Sequence, residues 1–186
     1  MRESRNMLQY GTSSKGDCMS IRRAEAAAQK ALEIAWDEKF PIDPIAIARK
    51  ISVQAQEQRY AIQMIGVSNE DLNGASGSAE FSATDGYICK FNKDEYGARS
   101  RFTQAHELGH VILNHVNEET TLLRDDRFIN SDARETEANA FAAELLMPKK
   151  HMPTLLKRAS SVSSLAQELG VSVSALSYRL KNLGLL

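Results

Sequence analysis

Residues 101–110 read Arg-Phe-Thr-Gln-Ala-His-Glu-Leu-Gly-His and contain the pattern H-E-x-x-H at positions 106–110. On a helix, His106 and His110 are four residues apart, so their imidazoles project from one face and can bind one metal ion. Glu107 lies about 100° further round the helix, which makes it a poor ligand but a suitable general base for an attacking water. The pattern predicts one Zn²⁺ per chain, held on a single helix together with its base.

Apolar residues surround this pattern on most sides of a helix predicted over residues 97–116. They are Phe102, Ala105, Leu108, Gly109, Val111, Ile112, Leu113 and Val116. A helix with this distribution is buried over most of its circumference. Because burying two imidazoles and a carboxylate is costly unless something binds them, the setting favours a metal site over two incidental histidines.

A catalytic zinc site needs a third protein ligand and one open position. The longer pattern H-E-x-x-H-x-x-G-x-x-H fails, since Leu113 and Val116 stand where it requires Gly and His. His115 follows His106 by nine residues, so we expect it to point to the opposite side of the helix as a surface or packing histidine.

The next predicted helix, residues 131–147, offers Glu135 and Glu137 as third ligands. Both glutamates fall on opposite edges of the apolar stripe of this helix, so periodicity does not choose between them. Asn139 on the same helix is a candidate for holding a ligand imidazole by its other nitrogen.

The rest of the chain predicts an α+β fold. Short apolar segments between residues 53 and 91, separated by Gly, Asn, Asp and Ser, predict a small antiparallel sheet. We expect residues 1–20 to form a flexible arm, residues 21–148 to form the metal-binding domain, and residues 149–186 to form a small all-α unit.

The last unit is basic, with a net charge of +5 against −6 for residues 1–148. Residues 164–180 predict a helix-turn-helix with a turn at Gly170 and a helix cap at Ser172. Its candidate contacts to nucleic acid or to a protein partner are Ser174, Ser177, Tyr178, Arg179 and Lys181. Two helices are too few to fold alone and the charge is modest for a phosphate-binding surface, so packing or partner recognition is favoured over DNA contact.

Composition places the protein among ordinary globular chains, with 42% hydrophobic and 25% charged residues. No apolar run is long enough to span a bilayer, and the first 20 residues lack the apolar stretch of a secretory signal. Two cysteines do not make a disulfide framework. We therefore expect a cytoplasmic protein without a membrane partner.

Two blocks of sequence resemble the ImmA/IrrE family of zinc metallopeptidases, which are gluzincin-like H-E-x-x-H enzymes. The blocks are residues 101–110 and residues 137–148, Glu-Ala-Asn-Ala-Phe-Ala-Ala-Glu-Leu-Leu-Met-Pro. The resemblance implies a zincin-like peptidase domain in which the small antiparallel sheet packs on the motif helix, His106 and His110 bind zinc, and Glu107 is the base. It also implies that Glu137 is the third ligand.

Characterised members of that family cleave helix-turn-helix repressors of the Cro/cI type and thereby activate phage, mobile-element or stress genes. The resemblance implies a zinc endopeptidase with such a repressor as its protein substrate. The alternative is a non-catalytic regulator that binds DNA or a repressor through its tail and keeps a structural metal. The presence of Glu107 favours the enzyme, because a structural zinc site does not need this carboxylate.

Overall fold

The computed structural model describes residues 15–55, 57–117, 122–124 and 133–186, and its elements give the predicted α+β class. The helices of this part of the chain are α1 (Lys15–Ala35), α2 (Pro44–Ala48), α3 (Gly97–Ile112), α4 (Ala133–Leu146), α5 (Met152–Arg158), α6 (Val162–Leu169) and α7 (Val173–Asn182). The strands are β1 (Ser52–Ala55), β2 (Gln58–Val67), β3 (Gly77–Ser82), β4 (Gly86–Asn92) and β5 (Leu122–Arg124). None of the described helices combines the length and the hydropathy needed to cross a bilayer.

The strands form one sheet in the order β1-β2-β4-β3-β5. It is mixed rather than antiparallel as predicted, because β2 and β4 run parallel while the other neighbours run antiparallel. The reason is the position of β3, which lies beyond β4 and returns the chain through a hairpin. Strand β3 runs opposite to β2. Because β4 pairs antiparallel with β3, β4 runs in the same direction as β2. Alternation of apolar residues predicts strands but not their order in the sheet.

The hairpin between β3 and β4 turns through residues 83–85, and Gly86, the first residue of β4, pairs with Ser82. Gly86 has φ +79, and a Cβ atom there would lie 2.9 Å from the carbonyl oxygen of Ala61 on the neighbouring strand. Both the backbone conformation and the close approach require glycine. This hairpin places β3 against the motif helix.

Helix α3 lies between the sheet and α4, and α4 packs in turn on α1. Residues Ala105 to Val111 of α3 are all buried, which agrees with the predicted apolar surroundings of the motif. Neighbours on both sides explain why so little of this helix reaches solvent. The H-E-x-x-H pattern is therefore located in the centre of the described structure.

The amino-terminal helix begins earlier than the sequence predicts. Residues 15–20, assigned to the flexible arm, belong to α1, whereas residues 1–14 of the predicted arm lie outside the described residues. The next helix, α2, begins with a side-chain cap and a proline. The Asp43 side chain accepts a hydrogen bond of 2.9 Å from the backbone N–H of Ile45, and Pro44 occupies the first turn.

The carboxy-terminal helices share the core of the rest of the described chain. Leu165, Leu169, Leu176 and Leu180 have no exposed surface and belong to the same apolar cluster as Phe141 of α4. The predicted helix-turn-helix segment folds as α6 and α7, joined through Gly170 with φ +64. The predicted cap is present, since the Ser172 hydroxyl accepts a hydrogen bond of 3.1 Å from the Ala175 N–H.

A buried ion cluster fastens α7 to the rest of the molecule. Arg179 is 5% exposed and pairs with Glu144 of α4 and, at 2.9 Å, with Glu25 of α1. Its Nε donates a further hydrogen bond of 3.3 Å to the Met147 carbonyl oxygen. Arg179, one of the candidate contacts to nucleic acid or to a partner, is thus a structural cation whose guanidinium faces the protein interior.

Replacing Arg179 by alanine should lower the free energy of unfolding by about 3–5 kcal/mol, because Glu144 would remain buried without its cation. Urea denaturation followed by circular dichroism measures this loss. Lys181→Ala removes an exposed cation from the same helix and should stay within about 0.5 kcal/mol of the parent. Equal stability of the two variants would show that the ion cluster does not hold the tail.

Candidate metal centre

Helix α3 brings the two predicted histidine ligands together. The imidazoles of His106 and His110 are each 1% exposed, and their Nε2 atoms lie 2.9 Å apart. The spacing of four residues on one helical face produces this approach, as the sequence predicts. Two imidazole nitrogens thus converge on one point beside α3.

The carboxylate of Glu135 on α4 completes the convergence. Its Oε2 atom lies 3.1 Å from His106 Nε2, and its Oε1 atom lies 3.2 Å from His110 Nε2. Burial opposes ionisation of Glu135, but its contacts with His106 and His110 outweigh burial and hold the pKa of this carboxyl well below its ordinary value. Glu135 is therefore an anion at neutral pH, directed at both nitrogens.

These three side chains fit the donor set of a zinc site. Donors at about 2.0–2.1 Å from a tetrahedral zinc lie about 3.3 Å from each other. The separations of 2.9–3.2 Å between the two nitrogens and the carboxylate oxygens are close to this value. His106, His110 and Glu135 could thus hold a metal ion together.

A close approach of the two helices positions the third ligand. A Cβ atom on Gly109 of α3 would lie 3.0 Å from Cδ1 of Phe141 on α4, a tighter contact than almost any real Cβ atom makes. Glycine therefore lets the Phe141 ring pack directly on the α3 backbone. Because α4 lies this close, Glu135, about 1.7 turns before Phe141, reaches the imidazoles.

Asn139 holds the first histidine from behind. Its amide oxygen lies 3.0 Å from Nδ1 of His106. An amide oxygen can only accept a hydrogen bond, so His106 carries its proton on Nδ1 and directs the Nε2 lone pair at the cluster. Asn139 follows Glu135 by four residues, which explains why one face of α4 provides both contacts.

The predicted base, Glu107, is fully buried between α3 and the sheet. A Cβ atom on Gly77 at the start of β3 would lie only 2.7 Å from its Oε1, so the carboxylate rests against bare backbone. Cys89 on β4 is also fully buried, near Glu107. Burial in the first place, and the charge of Glu107 in the second, raise the pKa of this thiol, so Cys89 is a neutral packing residue.

The structure places Glu137 away from the two imidazoles of the motif. Its Oε2 atom lies 2.9 Å from Nε2 of His115 instead. Residues two apart on a helix are separated by about 200°, so Glu135 and Glu137 cannot both face α3. The geometry thus places Glu135, and not Glu137, beside the two imidazoles of the motif. The spacing to Asn139 is a signal that could have identified Glu135 in the sequence.

His115 is also located differently from its predicted position. It is 8% exposed, and its Nδ1 lies 3.0 Å from Nδ1 of His110. Helical arithmetic does not apply to it, because α3 ends at Ile112 rather than at residue 116. Burial lowers the pKa of His115 despite the hydrogen bond with Glu137, so this imidazole is neutral at neutral pH.

Three of the predicted contact residues of the tail lie on its outer surface. Ser174, Tyr178 and Lys181 are exposed, and Ser177 is half-buried. Together with the burial of Arg179, this leaves Lys181 as the one cation of the predicted set on the outer face of α7. The outer face of α7 is therefore poor in the positive charge that phosphate binding requires.

The donors of thermolysin-type zinc peptidases are two histidines and a glutamate. The glutamate of the H-E-x-x-H pattern is the general base in such sites. Here the three donor side chains lie on adjacent helices beside the buried Glu107. The chain belongs to the peptidase family M78, IrrE N-terminal-like domain, whose family model matches residues 67–181. The match includes the sheet from β3 onward, the metal centre and most of α7. The resemblance to ImmA/IrrE peptidases is thereby confirmed. No curated protein gives a significant match.

The ligand assignment predicts different effects of two neighbouring substitutions. Glu135→Ala should abolish stoichiometric zinc binding, because it removes one of three donors, whereas Glu137→Ala should still take up about one zinc per chain at saturation. Equilibrium titration with a chromophoric chelator measures both. Stoichiometric binding by Glu135→Ala together with its loss in Glu137→Ala would restore the assignment made from the sequence.

The helix contact predicts a compensating pair. Gly109→Ala should destabilise the protein by about 1–3 kcal/mol, because the new methyl group overlaps the Phe141 ring. In a Phe141→Leu background the same substitution should be neutral or stabilising, since alanine is the better helix former. Urea denaturation of the four proteins gives the coupling energy. Additive effects would mean that the two residues do not limit the distance between the helices.

Proposed function

We propose that this protein is a zinc-dependent endopeptidase that cleaves a specific partner protein. The observation that carries the proposal is the convergence of His106, His110 and Glu135 next to the buried carboxylate of Glu107. Membership of a peptidase family supports the same reaction class and a protein as the substrate.

In peptide hydrolysis the metal ion and the protein side chains would have different roles. A zinc ion bound by the three side chains would polarise the scissile carbonyl and lower the pKa of a water. Glu107 accepts a proton from the attacking water at its carboxylate and delivers it to the leaving amine nitrogen. Asn139 keeps the proton of His106 on Nδ1, so that Nε2 remains a ligand throughout the reaction.

The donor count favours catalysis over a structural metal. Structural zinc sites are closed by four protein ligands, whereas three side chains converge on this position within the described residues. A buried glutamate immediately after the first ligand has no function in a closed site. It has one in hydrolysis, as the acceptor of the proton.

We further propose that the substrate is a helix-turn-helix transcriptional repressor of the Cro/cI type, whose cleavage would derepress phage, mobile-element or stress genes. The basis is the resemblance to ImmA/IrrE peptidases. The rival function, a regulator that binds DNA through its tail, has less support because Arg179 is buried in ion pairs. Partner recognition through Ser174, Tyr178 and Lys181 remains compatible with the peptidase.

The test compares cells that produce the parent protein with cells that produce Glu107→Gln. New protein amino termini should appear with the parent only, because the amide cannot accept the proton, and the gene product that carries them is the substrate. Mass spectrometry of labelled amino termini detects these ends. The purified parent loaded with zinc should then cleave the same protein at the same bond.

Two measurements control this comparison. Glu107→Gln should bind about as much zinc as the parent, because Glu107 is not one of the three ligands. Glu33→Gln, which changes an exposed carboxylate on α1, should produce the same new termini as the parent. Identical sets of termini for the parent and for Glu107→Gln would refute the peptidase.

A further inference from the structure

We propose that His115 and Glu137 form an orienting relay that holds His110 in the tautomer and the rotation needed to bind the metal. The inference rests on the proposed metal site and concerns residues that do not belong to its donor set. Its evidence is a continuous chain of contacts. Glu137 Oε2 lies 2.9 Å from His115 Nε2, and His115 Nδ1 lies 3.0 Å from His110 Nδ1.

The end of helix α3 brings His115 into this position. Asn114 adopts the left-handed conformation with φ +59, and its N–H donates to the Val111 carbonyl oxygen at 3.1 Å. The N–H of His115 donates to the His110 carbonyl oxygen at 2.9 Å. These two bonds form a Schellman motif, which reverses the chain at the end of a helix. The reversal places the His115 imidazole beneath that of His110.

The direction of the hydrogen bonds follows from the two ends of the relay. A carboxylate oxygen of Glu137 accepts, so His115 donates from Nε2. The Nδ1 of His115 is then the acceptor, and His110 donates to it from its own Nδ1. His110 therefore carries no proton on Nε2, the atom that faces His106 Nε2 and Glu135. The relay thus imposes the tautomer that a metal ligand requires.

The hydrogen bonds of His115 with Glu137 and His110 are shielded from water by burial. The side chain of His115 is 6% exposed and that of Glu137 is 12% exposed, so water competes little for their hydrogen bonds. A surface pair of the same composition would exchange its partners with solvent. The pair is instead enclosed next to a ligand, which is where an outer hydrogen-bond partner affects metal affinity.

Through the relay, residues of α4 hold both histidines of the motif. Asn139 orients His106 directly, whereas Glu137 orients His110 through His115. Glu135, two residues before Glu137, would be the ligand from this helix. Three alternate residues of one helix therefore hold all protein groups that the metal would meet. Glu137 points about 200° away from Glu135 on α4 and does not contact His110 directly. The Schellman reversal places His115 between them.

The test measures metal affinity and the cobalt(II) absorption spectrum of variants that separate packing from hydrogen bonding. His115→Phe keeps a buried ring without polar atoms, and His115→Gln keeps a donor and an acceptor. We expect His115→Phe to bind about one zinc per chain at saturation with an affinity about 10–100-fold weaker than the parent. His115→Gln should recover most of this loss, and a merely packed residue would not show such rescue.

A double-mutant cycle tests whether the two residues act as one unit. Glu137→Ala should weaken zinc affinity by an amount similar to His115→Phe, and the double variant should be no weaker than either one. His151→Phe is the matched control. It replaces a half-buried histidine that packs against Trp36 and Phe40, and it should leave the zinc affinity and the cobalt spectrum unchanged.

The outcomes separate the relay from the proposed function. Parent-like affinity and parent-like cobalt spectra for His115→Phe and Glu137→Ala would overturn the relay and leave the metal site intact. Absence of any zinc or cobalt binding by the parent would overturn the proposed function and the relay with it. Circular dichroism checks that each variant is folded. If His115→Phe is not folded, Glu137→Ala, on the flank of α4, carries the same test.

Discussion

Helices α3 and α4 meet where Gly109 leaves room for the ring of Phe141, and the polar contacts of the metal centre depend on this approach. Glu135 reaches two imidazoles and Asn139 reaches the back of one because the helix axes lie close together. The contact is apolar and sterically exacting, whereas the groups it positions are polar. Packing therefore provides the precision that the hydrogen bonds of the site require.

The burial of α3 has an energetic consequence for its histidines. Imidazoles with 1% exposure are costly to place in a protein interior unless their nitrogens have partners. Each Nδ1 atom has one, Asn139 or His115, and the Nε2 atoms face Glu135. The two Nδ1 atoms are thus held by the protein, and the two Nε2 atoms are directed at one point beside Glu135. That arrangement is preorganised for a cation of small radius.

The carboxy-terminal helices stabilise the same region from the opposite end of α4. Glu144, which pairs with Arg179 of α7, lies nine residues after Glu135 on that helix. The family match extends to residue 181, so it includes most of α7 as well as the metal centre. The predicted division at residue 148 does not correspond to a break in the core, since leucines of α6 and α7 belong to the apolar cluster of α4. A tail packed in this way has a structural function whatever partner its outer surface recognises.

The sequence by itself determined the helix that carries the H-E-x-x-H pattern, its burial and most helices and strands, because these depend on spacings within one element. It predicted Asn139 on the correct face of α4, but the resemblance favoured Glu137, which lies about 200° from the face that meets α3. Only the tertiary structure decided between Glu135 and Glu137, since the choice depends on how α4 is rotated against α3. It also decided the position of His115, because a left-handed Asn114 ends the helix and reverses the chain. The parallel pairing of β2 and β4 could not be predicted from the sequence either. Strand order depends on contacts between distant segments and not on the local pattern of apolar residues.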